Sequence, residues 1–226
     1  MSYLNSISVL VIVPAFNAEK TLPELITRLD QYVCRSNLLI VNDGSTDNTQ
    51  RIIDDLKLSH ISFRSNRGKG AALRAGFAYA REFGYRSALT LDADLQHPPE
   101  AIPRFYALDD GARVLMGTRT FALGRMPVSR WFSNNLTSLM VSIFSRERVR
   151  DSQSGFRLIP GRVLDRVRLT ASRYDLESEL LLQLGTLGVP VVEVPIPRIY
   201  DGAASHINHL GDTLRFIRQL WRRIWA

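Results

Sequence analysis

Residues 9–13, Val-Leu-Val-Ile-Val, form an unbroken apolar run that ends at Pro14, the pattern of a strand buried on both faces. Thr21-Leu22-Pro23-Glu24 has capping-box spacing, and amphipathic spacing to about Val33 predicts a helix. Residues 38–41 predict a second strand. It breaks into Asn42-Asp43-Gly44-Ser45-Thr46-Asp47, a cluster of turn and N-cap residues leading to a helix over 49–58. Residues 61–64 predict a short third strand. Arg67-Gly68-Lys69-Gly70 opens an alanine-rich helix that reaches about Phe83. A fourth strand is expected over 87–91, a helix over 99–108 and a fifth strand over 114–117.

Strands that alternate with helices need crossover connections, so the fold class is α/β with a mostly parallel sheet. Ligands in such sheets bind beyond the carboxyl ends of the strands. Pro14, Asp43, Asp92, Asp94 and Arg119 all fall just past expected strand ends. After Arg119 the pattern shifts to a helix over 126–144, a polar loop over 151–157, helices over 161–168 and 175–187, and a strand over 191–195. No repeat or long linker interrupts residues 1–210, which read as one domain. In residues 211–226 an apolar stripe of Leu214, Ile217, Leu220, Trp221, Ile224 and Trp225 faces arginines 215, 218, 222 and 223. That helix suits a membrane interface, or packing on its own domain or on a partner.

Composition narrows the chemistry. The balance of 45% hydrophobic and 23% charged residues is that of an ordinary globular protein, and 226 residues allow a large core. One cysteine, Cys34, excludes a disulfide framework, and four histidines show no zinc spacing. No Gly-x-Ser-x-Gly elbow is present. No apolar run approaches the roughly 20 residues of a membrane span, and no basic-then-apolar leader opens the chain. A net charge of +7 permits anionic partners, whether nucleic acid, anionic lipid or phosphorylated substrate, without choosing among them. The aromatic stacking pattern of single-strand binders is missing, which argues against nucleic acid.

The segment Asp92-Ala93-Asp94-Leu95-Gln96-His97-Pro98 carries the sharpest signal. Alternate side chains at a strand end share a face, so Asp92 and Asp94 are placed to converge, with Gln96 in the same parity. Hard oxygen donors of this kind suit Mg²⁺ or Mn²⁺, held by one or two carboxylates and by substrate phosphates. A solvated turn gives the same pattern when the motif is taken alone. Arg67-Gly68-Lys69-Gly70 looks like a phosphate cradle at a helix start but does not match the P-loop spacing.

Taken as an ordered set, Pro14-Ala15-Phe16-Asn17, Asn42 to Asp47, Asn66 to Gly70, Asp92 to Pro98, Gly117-Thr118-Arg119 and Ser154-Gly155-Phe156-Arg157 are more specific. Over residues 8–206 the chain resembles the family 2 glycosyltransferases of the GT-A fold, in the dolichol- or polyprenol-phosphate mannosyltransferase-like branch. The resemblance implies a GT-A sheet flanked by helices and transfer of a sugar, with inversion, from a GDP- or UDP-linked donor. By position, Pro14, Phe16, Val41 and Asp43 would hold base and ribose, with Asn17, Glu19, Lys69 and Ala93 completing the donor set. Asp92 would contact ribose or metal, and Asp94 with Gln96 would ligate the Mg²⁺ or Mn²⁺. Arg119 and Arg198 would reach the donor diphosphate or acceptor phosphate, and Asp94 and Arg119 would be the catalytic residues. His206 stands where the family often has a lysine that closes over the donor. Arg130, Ser154 and Arg157 are candidates for acceptor binding, although Arg130 alone reads equally as a solvated surface residue.

Two departures from the family pattern stand out. Ala18 follows Asn17 where the family usually has glutamate, and the acid arrives one place later as Glu19. The transmembrane helices of some relatives are also missing. A lipid acceptor would therefore need the tail helix, with or without the helix over 126–144, to dock the protein on the cytoplasmic face of a membrane. A phosphate acceptor is already anionic and needs no base; a hydroxyl acceptor would, with Asp151 and Glu177 as candidates. Three readings remain open: transfer to a lipid-linked acceptor, transfer to a hydroxyl in a cell-envelope glycan, and non-catalytic binding of anionic lipid.

Overall fold

A computed structural model describes residues 9–119, 154–172 and 175–197. Seven strands form one sheet: β1 (Val9–Ala15), β2 (Leu38–Asn42), β3 (His60–Ser62), β4 (Ser87–Thr90), β5 (Val114–Arg119), β6 (Arg157–Pro160) and β7 (Val191–Ile196). Their spatial order is β3-β2-β1-β4-β6-β5-β7. β1, β2, β3 and β4 pair in parallel, as do β5 and β7; β6 alone runs antiparallel, between β4 and β5. The helices are α1 (Leu22–Leu29), α2 (Thr49–Asp55), α3 (Lys69–Glu82), α4 (Ile102–Leu108), α5 (Gly161–Leu164) and α6 (Asp175–Thr186).

The period of two along each strand divides the core. Val9, Val11 and Val13 pack with Leu38, Ile40, Leu89 and Leu115 against α1, α2 and α4. Leu10 and Ile12 pack with Leu39, Val41, Ala88 and Met116 against α3, α5 and α6. Both faces are covered, which is why residues 9–13 hold no polar position.

Most expected elements stand, and the differences have physical causes. Thr21 does not close a capping box: its hydroxyl lies 3.5 Å from the Ala18 carbonyl, and Glu24 turns to Arg28 at 3.8 Å. β4 stops at Thr90, one residue early. The helix expected over 161–168 is a single turn, α5. β6 was not expected at all. It is four residues long, buried throughout, and opens on an arginine and closes on a proline, so no apolar run announces it. The expected helix over 126–144 and the tail helix expected over 211–226 lie outside the described residues. Among the described residues no helix is long and apolar enough to cross a membrane.

Candidate active site

The carboxyl ends of β1, β2 and β4 are adjacent, because β1 lies between the other two. At the tip of β2 the Asp43 carboxylate is buried and accepts two main-chain N–H groups, from Arg67 at 2.7 Å and Gly68 at 2.8 Å. Burial pushes its pKa above the usual carboxylate range despite those two donors and nearby Arg67. Gly44 follows with φ +68°, and a Cβ there would stand 2.6 Å from the Asn66 nitrogen, so only glycine fits the turn. Asn42 is buried too; its Oδ1 accepts the N–H and hydroxyl of Ser45 at 3.0 and 2.6 Å.

The tip of β1 is sewn to this turn. Asn17, at φ 51°, donates its N–H to Ser45 Oγ (3.0 Å), and its Oδ1 accepts the Thr46 N–H (2.8 Å). Ala18 N–H donates to Thr49 Oγ1 (2.8 Å), and Glu19 N–H to Asp47 Oδ2 (3.1 Å). Burial works against ionisation of Asp47, but hydrogen bonds from Thr49 and Glu19 hold its pKa below the usual range. The Glu19 carboxylate accepts both the N–H and the side-chain amide of Asn48, at 3.1 and 2.9 Å. Glu19 and Asn17 thus brace the β2 loop, where a donor contact was expected. Val41 is fully buried in the core, so it shapes the edge from below, while Phe16 is 47% exposed at the tip of β1.

At the tip of β4, Leu91, Ala93 and Leu95 anchor the chain in the core. The polar residues between them stay nearer solvent: Asp92 and Gln96 are half-buried and Asp94 is exposed. Asp94 Oδ1 accepts the Gln96 N–H at 3.0 Å, closing a turn in which Leu95 takes φ 62°. Asp92 Oδ1 pairs with Lys69 Nζ at 2.7 Å, and the same ammonium pairs with Glu177 Oε1 at 2.7 Å. Burial alone would lower the Lys69 pKa, but Asp92 and Glu177 outweigh it and hold the ammonium charged. The buried His97 ring lies 3.8 Å from Asp92 Oδ2 and packs on Phe156, which stacks on Phe105.

The Ser154 to Arg157 segment backs this corner. Arg157 is 2% exposed; its Nε donates to the Ser154 carbonyl (2.9 Å) and Nη1 to the Glu177 carbonyl (3.0 Å). Ser154 is buried as well. Both were expected to face an acceptor; the structure turns them inward, where the guanidinium ties α6 to the start of β6. Thr90, whose hydroxyl donates to the Gly155 carbonyl at 2.6 Å, was missed by the sequence reading, although a threonine at the end of an apolar run is a signal for a buried polar contact. The Arg119 side chain, Arg130, Asp151, Arg198 and His206 lie outside the described residues. Among the described residues, no group of three or more His, Cys, Asp or Glu gathers to hold a metal ion.

An open α/β sheet with its polar residues at the carboxyl edge of β1, β2 and β4 is the GT-A arrangement. The solved structure of glucosyl-3-phosphoglycerate synthase from Mycobacterium tuberculosis, with Mn²⁺, uridine diphosphate and glucosyl-3-phosphoglycerate, superposes with a TM-score of 0.75 at 19% identity, over 97% of this chain and 80% of that one. The model of Glycosyl transferase family 2 matches residues 10–167. The chain belongs to that family, and it is a glycosyltransferase. Among its relatives, polyprenol monophosphomannose synthase of Mycolicibacterium smegmatis is 32% identical over 202 residues, 83% of this chain and 76% of that one. Undecaprenyl-phosphate mannosyltransferase of Micrococcus luteus is 31% identical over 200 residues, 83% of this chain and 82% of that one.

Proposed function

We propose that this protein moves a sugar, with inversion, from a GDP- or UDP-linked donor to a polyprenyl phosphate or other lipid-linked acceptor at a membrane surface. The observation that carries this reading is the convergence of Asp43, Lys69 and Asp92 on one sheet edge in a chain whose relatives are named for polyprenyl-phosphate acceptors.

The residues divide by task. Phe16 offers an exposed ring and Asp43 a rigid acceptor to the nucleoside, with Pro14 beside them. Lys69 sits at the first residue of α3, where an ammonium and the helix N-terminus both favour phosphate. Asp92, Asp94 and Gln96 are hard-oxygen donors suited to Mg²⁺ or Mn²⁺, and two carboxylates are enough for an ion that also binds a diphosphate. Asp94 fits best, being exposed at the tip of β4. Such a cation supplies positive charge against the departing diphosphate. Arg119 and Arg198 are assigned by position to the same anion, Arg130 to the acceptor, and His206 to the loop over the donor. Charge grows on the leaving group in the transition state, so fixed cations aimed at it lower the barrier. The basic segment 211–226 is assigned to anionic lipid, which would make the protein peripheral on a cytoplasmic membrane face.

What supports a phosphate acceptor over a hydroxyl is that Glu177 gives its Oε1 to Lys69, which leaves Asp151 as the remaining candidate base for a hydroxyl. The test is transfer of labelled sugar from a panel of UDP- and GDP-sugars with Mg²⁺ or Mn²⁺, offering polyprenyl phosphate and sugar alcohols in parallel. Label in a lipid phosphodiester supports the proposal. Label appearing only on hydroxyl acceptors overturns it.

A further inference from the structure

Gly155 lies against the Asp92 carboxylate. A Cβ at this position would stand 2.5 Å from Asp92 Oδ2, 2.6 Å from Oδ1 and 2.8 Å from Cγ. The φ of Gly155 is not positive, so its backbone would accept alanine; the space would not. The Gly155 carbonyl receives the Thr90 hydroxyl at 2.6 Å, two residues before Asp92 on the same strand tip. Thr90 therefore fixes the glycine that in turn shapes the seat of Asp92. On the other side, Arg157 binds the Ser154 and Glu177 carbonyls, Glu177 binds Lys69, and Lys69 binds Asp92. The contacts close a circuit around one carboxylate, and Gly155 is the member that meets it by having no side chain.

We propose that Gly155 is a positioning residue that sets where the Asp92 carboxylate meets the nucleotide donor or its cation, with Thr90 as its latch. This rests on the donor site assigned above. A methyl at 155 pushes the carboxylate off its seat without removing it, so the loss falls on cation-dependent donor binding.

The experiment is calorimetric titration of UDP and GDP, each with and without Mn²⁺, into wild type, Gly155→Ala, Thr90→Val and Asp92→Ala, with thermal melts of each and of the Asp92→Ala/Gly155→Ala pair. Gly155→Ala is expected to weaken Mn²⁺-dependent nucleotide binding about tenfold or more, a shift of roughly one decade in Kd, about 1.4 kcal/mol. Its melting penalty should shrink in the Asp92→Ala background, because the clashing atoms are gone. Thr90→Val should show a smaller loss of the same Mn²⁺-dependent kind, and it decides the matter where Gly155→Ala fails to fold. Wild-type binding by Gly155→Ala, an equal melting penalty in both backgrounds, or wild-type binding by Thr90→Val when Gly155→Ala does not fold would each overturn the proposal. Nucleotide binding unchanged in Asp92→Ala would instead overturn the donor-site assignment on which it rests.

Discussion

Two aspartates stand at the tips of strands that flank β1, and they are held in opposite ways. Asp43 is gripped by two main-chain N–H groups, from Arg67 and Gly68. Asp92 is gripped by a side-chain ammonium, which it shares with Glu177. A main-chain grip survives almost any substitution nearby that keeps the fold. A side-chain grip is lost with one residue, and it is also one that an incoming cation or phosphate can compete for. On the proposed donor assignment, the side of the edge meant for the nucleoside is built in advance, while the side meant for the diphosphate is held by ion pairs that ligands can rearrange.

The sharpest break of this contrast is at Asp94. It is exposed and accepts the Gln96 N–H, so Asp94→Ala should cost only about 1 kcal/mol of stability while sugar transfer falls on the order of a hundredfold or more, the scale seen when a charge-stabilising group is removed. Equal turnover of the two proteins in a labelled-donor assay would remove Asp94 from the chemistry. Next is Lys69→Met, which leaves two carboxylates facing each other without their cation. Breaking a fully buried ion pair from one side costs about 3–5 kcal/mol; with Lys69 and Asp92 half-buried and Glu177 buried, urea denaturation should show a loss near the lower end of that range, at least as large as for any single change at Asp43. Asp43→Asn keeps the shape but weakens both main-chain bonds; a loss of about 1–3 kcal/mol is expected, together with a higher donor KM. Glu19→Ala, on the exposed β1 loop, should cost about 1 kcal/mol by freeing the Asn48 N–H at the start of α2.

Acid titration gives the finest resolution, because Asp43 and Asp47 respond with opposite sign. The folded-state pKa of Asp47 is depressed, so its stabilisation is present above about pH 4 and fades as pH falls through the folded value. Glu100, held down by its hydrogen bond from Arg28, behaves alike. Asp43 is raised: its protonated form is favoured on folding, so its contribution is present below about pH 4 and is lost as pH climbs through the folded value. Melts from about pH 3 to 6 should show a shallower acid loss for Asp47→Asn and a steeper one for Asp43→Asn than for wild type.

The same division explains what was legible in the sequence. β1, β2 and β4 were plain because burial on both faces demands continuous apolar runs, and the tips followed because turn residues cluster where a strand ends. The pairing of Lys69 with Glu177 spans 108 residues and leaves no local pattern, so the role of Glu177 as a structural counter-ion could not be read. Arg157 shows the complementary failure. An arginine in a polar, glycine-containing loop reads as a ligand contact, yet here it opens a buried strand and spends its donors on two carbonyls. The one-residue offset of Glu19 was plain in the sequence, but the brace its carboxylate gives Asn48 was not, because that contact spans 29 residues.

The most direct test is a crystal structure of the protein with Mn²⁺ and the nucleoside diphosphate that binds more tightly, UDP or GDP. The account predicts the base against Phe16 and Asp43, with the diphosphate and cation beside Lys69, Asp92 and Asp94. A nucleotide bound elsewhere on the sheet, with the Lys69–Asp92–Glu177 contacts untouched and no cation near Asp94, would contradict it.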